Sequence, residues 1–246
     1  MTILYVNGDS HTAGAEAVNS YCFDGDDGNF EWGSRLPHPT NLSVSWGKLL
    51  SDKLMMDFVC QAESGGSNTR ILRTTRKWLD NNSTADKLGI IQWSTWEREE
   101  WLDTESGKYY QVNGSGIDIV PPKWSQNYKE YVANIDWNSK TQEAHQTIWD
   151  FHQELKSKNI PHIFFNGNND FSIIGDTKYV NMTADRKIWG KNYISPYDPT
   201  KTYDSIIRSG GFTTVNANSW HFGKDGHRFF SEFMLQYIID NQFLKA

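Results

Sequence analysis

Short runs of consecutive apolar residues alternate along this chain with longer stretches in which apolar residues recur every three or four positions. The short runs predict buried β-strands, at 3–6, 57–60, 88–93 and 160–165. The longer stretches predict amphipathic helices, at 46–54, 67–79, 144–155 and 229–238. Strands that alternate with helices predict a parallel sheet covered by helices on both faces.

Two segments interrupt this alternation. Residues 94–137 are polar and rich in Trp and Tyr, and residues 167–206 are irregular, so we interpret both as long loop insertions. A Gly- and Asp-rich stretch at about 20–40 predicts a long surface loop. Because no Pro- or Ser-rich linker and no block of like charge divides the sequence, we expect one domain over residues 1–246.

Charge and composition exclude several classes of protein. The 246 residues carry a formal net charge of −6 with acidic and basic residues interspersed, which argues against nucleic-acid binding through phosphate contacts. No stretch approaches the ~20 apolar residues of a membrane helix, and two cysteines make no disulfide framework. The first residues show no signal-peptide pattern, so we expect a cytoplasmic protein. The oligomeric state stays open.

Candidate chemistry lies in the turns that follow the strands, because ligands of parallel sheets bind beyond the carboxyl ends of the strands. The turn after the first strand contains Gly8-Asp9-Ser10. A Ser hydroxyl acts as a nucleophile where it is exposed, close to a base and near N–H groups that stabilise an oxyanion. Alternatively, Asp9 and Ser10 form only a turn or a helix cap, as these residue types often do.

Three segments resemble the sequence blocks of the SGNH (GDSL-like) hydrolases. They are Gly-Asp-Ser-His-Thr-Ala-Gly at 8–14, Gly-Gly-Ser-Asn-Thr-Arg-Ile at 65–71 and His-Phe-Gly-Lys-Asp-Gly-His at 221–227. They follow the order of that family and look most like its members from bacteriophages and environmental bacteria. The resemblance implies a flavodoxin-like three-layer α/β/α sandwich with a central parallel sheet, and hydrolysis of carboxylic esters without a cofactor.

The resemblance also implies a role for individual residues. Ser10 is the nucleophile, and the N–H groups of Ser10 and Gly65 bind the oxyanion of the tetrahedral intermediate. His221 is the general base, because Gly226-His227 matches the Gly-His pair inside the final helix of the family. This register makes His227 a packing or helix-surface residue.

The third block departs from the family pattern. Thr95 stands where the family has an Asn that donates to the oxyanion, and a Thr hydroxyl reaches less far than an amide. We carry Thr95 over as the third oxyanion-hole residue. A literal Gly-Asn-Asn-Asp occurs one strand later, at 167–170. It lines the cleft or is a coincidence, and Asn169 ranks below Thr95.

The last block departs as well. Asn218 stands three residues before His221, where the family has the Asp that orients the base. An Asn carbonyl accepts a hydrogen bond from the imidazole but cannot balance its positive charge. Three alternatives stay open: a Ser–His dyad helped by backbone carbonyls, a carboxylate from elsewhere in the chain, or loss of activity.

The sequence therefore predicts a serine esterase with Ser10, His221 and Asn218 as its catalytic residues. A small-molecule or glycan ester is the expected substrate, with O-acetyl groups of a carbohydrate as the first hypothesis, because aromatic insertions can stack on sugar rings. The alternative is a weak or inactive SGNH-fold module that binds carbohydrate or belongs to a virion. His145 and His152 share one helix face without a third ligand, so we predict no metal site.

Overall fold

The computed structural model describes residues 2–24, 35–114, 120–174 and 189–244. Its strands are β1 (Ile3–Asn7), β2 (Asp57–Cys60), β3 (Lys87–Trp93), β4 (Glu99–Asp103), β5 (Lys108–Val112) and β6 (His162–Asn166). Its α-helices are α1 (Ser10–Ala13), α2 (Pro39–Leu42), α3 (Trp46–Leu54), α4 (Asn68–Asn81), α5 (Ser125–Ala133), α6 (Trp137–Ser157), α7 (Tyr203–Ser209) and α8 (Lys224–Asp240). The four predicted strands are confirmed as β1, β2, β3 and β6.

These four strands form one parallel sheet in the order β2-β1-β3-β6. The order reverses direction at β1, as in flavodoxin-like sheets, where the reversal opens a crevice at the carboxyl ends of the strands. All residues of β3 are buried, which is why this central strand reads as a continuous apolar run in the sequence. The predicted parallel sheet is confirmed, and its β1 and β3 ends mark the place for a site.

Helices cover both faces of the sheet. Alternate side chains of each strand point to opposite faces, so that Tyr5 joins one apolar cluster and Val6 the other. Helices α4 and α6 pack in the first cluster, and α3, α7 and α8 pack in the second. The predicted three-layer α/β/α architecture is therefore confirmed.

The first residues of two helices, α4 and α6, can be compared with the starts predicted from the sequence. The Ser67 hydroxyl accepts a hydrogen bond from the Arg70 N–H at 3.2 Å and caps α4, as a Ser before an apolar periodicity predicts. Helix α6 begins at Trp137, earlier than the predicted residue 144. Its first turns are largely exposed, so they carry no apolar periodicity that would reveal a helix.

The segment 94–137 is not the irregular loop that we expected. Strands β4 and β5 form an antiparallel hairpin in which Trp101 pairs with Tyr110, and α5 follows. Aromatic rings hold these elements together, since the Trp124 ring meets the rings of Trp101 and Tyr110 edge-on at 5.8 and 5.0 Å. The aromatic residues of this segment thus pack against one another.

The other predicted insertion lies only partly within the described residues. Of the segment 167–206, residues 175–188 fall outside them, and the rest forms short 3₁₀ turns that lead into α7. Of the predicted surface loop at 20–40, residues 25–34 fall outside, and α2 occupies 39–42. The single-domain organisation stays a prediction. Among the helices described, none has the length and apolarity to span a membrane.

Candidate active site

The turn after β1 places Ser10 at the first position of α1. The Asp9 carboxylate caps this helix by accepting a hydrogen bond from the His11 N–H at 3.0 Å, and Gly14 ends it in the left-handed conformation. Ser10 is 5% exposed. The reading of Asp9 as a helix cap is therefore correct, and it is compatible with a nucleophile at the next residue.

A buried hydrogen-bond network fixes this turn. The Asp9 carboxylate accepts hydrogen bonds from Gln92 Nε2 at 2.7 Å and from Ser94 Oγ at 2.8 Å, and Arg98 Nη1 lies 3.3 Å from it. Burial opposes ionisation of Asp9, but the charges of His11 and Arg98 and these hydrogen bonds outweigh it and hold the Asp9 pKa below its usual value. The network connects the turn after β1, residues 8–10 (hereafter the nucleophile turn, after the role expected for Ser10), to the end of β3.

His221 is held by the carboxylate of Glu16, which no sequence motif indicates. Its Nδ1 lies 2.5 Å from Glu16 Oε2, and the Ser219 hydroxyl donates to the same oxygen at 2.5 Å. The hydrogen bond with His221 lowers the Glu16 pKa against a smaller opposing effect of burial. Glu16 has a φ of 60°, a left-handed conformation that is uncommon outside Gly and occurs at functional sites.

Glu16 stands where Asn218 was expected to act. Asn218 is exposed, and its backbone N–H donates to Asn216 Oδ1 at 2.9 Å. No hydrogen bond between Asn218 and His221 exists in the described part of the chain. Because Glu16 occupies the Nδ1 side of the imidazole, the alternative of a carboxylate from elsewhere in the chain fits the geometry, and Asn218 as orienting residue does not.

The imidazole of His221 lies next to the nucleophile turn. Its ring meets the ring of His11, the residue after Ser10, edge-on at 5.5 Å between centroids. His11 is buried, and burial lowers its pKa to about 4. Its Nε2 lies 3.4 Å from the Asn168 Nδ2 in the turn after β6. That turn, the literal Gly-Asn-Asn-Asp, therefore does line the site.

The proposed oxyanion groups occupy two neighbouring turns. Gly65 has a φ of 78°, which a residue with a side chain rarely adopts. Within the described residues, neither the Gly65 N–H nor the Ser10 N–H donates a hydrogen bond. The Thr95 hydroxyl instead donates to Glu97 Oε1 at 3.0 Å. In the described residues the N–H groups of Ser10 and Gly65 are therefore free to bind an oxyanion, whereas the Thr95 hydroxyl already donates its hydrogen bond to Glu97.

Asn68 and Arg70 fix the turns around the site. The Asn68 side chain accepts from the Ser94 N–H at 2.8 Å and donates to the Ser94 carbonyl at 3.2 Å. Arg70 Nε donates to Glu63 Oε2 at 2.6 Å in a buried ion pair. Both side chains are engaged with the protein, which gives them a structural role in holding the Gly65 and Ser94 turns.

The remaining histidines have structural partners. His227 is buried as predicted for a packing residue, and its Nδ1 accepts the Trp46 N–H at 3.2 Å. His145 Nε2 pairs with the Tyr197 hydroxyl at 2.9 Å, and His152 Nδ1 pairs with His162 at 2.8 Å. In the described ranges no group of three or more His, Cys, Asp or Glu side chains could hold a metal ion.

Comparison with known proteins gives a family and several similar shapes. The model of a family of unknown function (DUF6071) matches residues 38–241. No curated protein matches the chain. An acetyl xylan esterase (Est2A) from the rumen bacterium Butyrivibrio proteoclasticus is similar with a TM-score of 0.49 and 16% identity, over 98% of this chain and 64% of that one. The chain thus spans less than two thirds of the length of that esterase.

Two further solved structures are similar. The psychrotrophic esterase EstA from Pseudoalteromonas sp. has a TM-score of 0.47 and 9% identity, over 98% of this chain and 97% of that one. A member of the lipolytic protein G-D-S-L family from Veillonella parvula has a TM-score of 0.45 and 11% identity, with the same coverage of 98% and 97%.

Proposed function

For this chain, which belongs to the family of unknown function DUF6071, we propose from the geometry of its site that it is a serine esterase. Ser10 is the nucleophile, His221 is the general base, and Glu16 orients the base and balances its charge. The observation that carries this proposal is the 2.5 Å contact between Glu16 Oε2 and His221 Nδ1 at the edge of the nucleophile turn. A carboxylate that binds the Nδ1 of an imidazole forms the acid–base pair of a catalytic triad, and the His221 ring lies beside His11, the residue after Ser10.

Glu16 sets the tautomer of the base. When His221 Nδ1–H donates to the carboxylate, the lone pair of the neutral imidazole lies on Nε2. Nε2 then takes the proton of Ser10 Oγ while the oxygen attacks the ester carbonyl carbon. The resulting imidazolium is stabilised by the Glu16 charge. It gives the proton to the leaving oxygen, which departs as the alcohol and leaves an acyl-Ser10.

The second half of the reaction repeats these steps with water. A water molecule attacks the acyl carbonyl and gives its proton to His221 Nε2, which returns it to Ser10 Oγ as the carboxylic acid leaves. In both halves the carbonyl oxygen carries negative charge, which the free N–H groups of Ser10 and Gly65 stabilise. The chemistry needs no cofactor.

For the substrate we propose an ester with a small acyl group, with an O-acetylated carbohydrate as the first candidate. Trp220, beside the base in sequence, is 77% exposed, and exposed aromatic faces favour contact with sugar rings. Around the proposed nucleophile, Ser10, His11 and Gly66 are all buried and present no exposed apolar side chain. A long acyl chain would need an apolar cleft that these residues do not form.

One observation favours a second candidate, a module that binds a ligand without hydrolysing it. In the described residues, no hydrogen bond joins Ser10 Oγ to His221. In structures without substrate such hydrogen bonds are often long and shorten only when the substrate binds. We therefore rank the esterase first and let the same experiment decide between the two candidates.

The experiment measures hydrolysis of p-nitrophenyl acetate by the wild type and by Ser10→Ala, His221→Ala and Ser157→Ala. Ser157, at the distant end of α6, is the matched control. We expect Ser10→Ala and His221→Ala to lose at least 10³-fold in kcat, and Ser157→Ala to keep the wild-type rate. A fluorophosphonate should label Ser10 covalently. Equal rates for the wild type and Ser10→Ala, with no labelling of Ser10, would refute the esterase in favour of the second candidate.

A further inference from the structure

Gln111 is a buried side chain without a partner. It lies on β5 of the hairpin and is 3% exposed, and neither its Nε2 nor its Oε1 makes a hydrogen bond within the described residues. A buried carboxamide has lost its bonds to water, so leaving it unpaired costs free energy that an apolar side chain of similar size would not. Such a group in a native structure calls for an explanation, and a ligand is one.

The position of Gln111 points to the ligand. A Cβ atom placed on Gly65 would lie 3.9 Å from the Gln111 Cβ, so the hairpin presses this side chain against the turn that carries the Gly65 N–H. That N–H is one of the two donors of the proposed oxyanion hole. A glutamine carboxamide extends well beyond its Cβ and can therefore reach a carbonyl oxygen bound at Gly65.

The oxyanion hole also lacks a donor from the end of β3. The Thr95 hydroxyl, which occupies the expected place, donates to Glu97 at 3.0 Å. Asn68, at the start of α4, is engaged on both sides with the backbone of Ser94. The β4–β5 hairpin brings an amide without a partner to the Gly65 turn.

We propose that the Gln111 carboxamide donates a hydrogen bond to the carbonyl oxygen of the substrate ester, together with the N–H groups of Gly65 and Ser10. This inference rests on the proposed esterase function. In the orientation that the structure gives the amide, Nε2 is the donor without a partner. Binding of the substrate supplies the missing acceptor, and the bond strengthens as negative charge develops on the oxygen.

The test compares Gln111→Leu with Gln126→Leu, a control on the exposed face of α5. We measure kcat and KM for p-nitrophenyl acetate, the rate of labelling of Ser10 by a fluorophosphonate, and the midpoint of thermal unfolding. A lost oxyanion donor lowers kcat by about 10²–10³-fold, with KM within about threefold. The unfolding midpoint of Gln111→Leu stays equal or rises, because no hydrogen bond of the free protein is lost. Gln126→Leu keeps the wild-type kcat and the wild-type unfolding midpoint.

The outcomes separate this inference from the proposed function. Ser10-dependent hydrolysis that is unchanged in Gln111→Leu overturns the role of Gln111 and leaves the esterase intact. A fall of kcat together with a lower unfolding midpoint shows a structural role and also overturns it. Gln111→Asn guards against misfolding, since it keeps an amide at shorter reach and should recover part of the labelling rate. Absence of Ser10-dependent hydrolysis in the wild type overturns both proposals.

Discussion

Replacing Glu16 with Gln keeps the shape of the side chain and removes its charge. In Glu16→Gln the amide oxygen can still accept from His221 Nδ1, so the base keeps its orientation. What is lost is the attraction between the carboxylate and the imidazolium that forms when His221 takes the proton of Ser10. This attraction exists mainly in the transition state, so we expect the loss in kcat rather than in KM.

The size of the effect follows from the distance and the burial. With Nδ1 and Oε2 2.5 Å apart, the two charge centres lie roughly 4 Å apart, where the Coulomb energy is about 4 kcal/mol at an effective dielectric constant of about 20 and about 1 kcal/mol in water. The side chains of His221 and Glu16 are 17% and 23% exposed, which places the pair nearer the first value. A loss of about 3 kcal/mol corresponds to roughly 10²-fold in kcat.

The assay is steady-state hydrolysis of p-nitrophenyl acetate at pH 8, with Glu232→Gln as the control. Glu232 is exposed on α8 and its carboxylate lies 3.4 Å from Lys53 Nζ, so its neutralisation should leave kcat unchanged. Glu16→Asp adds a second comparison, because it keeps the charge but shortens the reach. A Glu16→Gln enzyme with the wild-type kcat would refute the assignment of Glu16 to the base.

Two further predictions concern stability. Gln92→Leu should lower the free energy of unfolding by about 3 kcal/mol in urea denaturation, because the buried Thr12 hydroxyl loses its acceptor at 2.6 Å and the buried Asp9 carboxylate loses one of its hydrogen bonds, at 2.7 Å; an unchanged midpoint would contradict this. Burial lowers the pKa of His152 and of His162 to about 4. The two neutral imidazoles therefore lower the free energy of unfolding only when the pH falls below their pKa in the unfolded chain, about 6.5, and this loss grows as the pH drops towards 4. His162→Asn should make this fall shallower between pH 6.5 and 4.5, by up to about 1.4 kcal/mol per pH unit, whereas an identical slope would exclude the pair as its source.

The fold was predictable because its strongest signals are local. The strands of a sheet that is buried on both faces appear in the sequence as apolar runs. Helix α4 is indicated by the capping residue Ser67 and by an apolar stripe along one face. The turns that follow β1 and β2 were predictable for the same reason, since Ser10 and Gly65 lie within five residues of the ends of their strands. Periodicity and order along the chain were sufficient for these features.

Glu16 was not predictable, because nothing near it in the sequence relates it to His221. The pairing arises when the loop after α1 meets the loop before α8, where the Ala17 carbonyl also accepts the Lys224 N–H at 3.1 Å. The expectation for Asn218 came from a spacing within one segment, whereas the carboxylate comes from another. The departure of Asn218 from the family pattern left a carboxylate from elsewhere in the chain as one of three alternatives, without indicating which.

Gln111 was hidden for a different reason. The sequence around it predicts a loop, because the signals of a hairpin are weak. Apolar and polar residues do not alternate strictly in β4 or in β5. Gly107 supplies the positive φ of 69° in the turn between them. A hairpin interpretation would have placed Gln111 on an ordered surface, but not against Gly65.

The contact between Glu16 and His221 joins residues 205 positions apart. The proposed nucleophile and acid lie close together in one short segment, whereas the proposed base lies in the loop immediately before α8. Helix α8 contributes to one of the two large apolar clusters and cannot separate without exposing much of it. Because the loop that carries the proposed base leads directly into α8, we expect loss of activity to coincide with cooperative unfolding of the sheet and its covering helices.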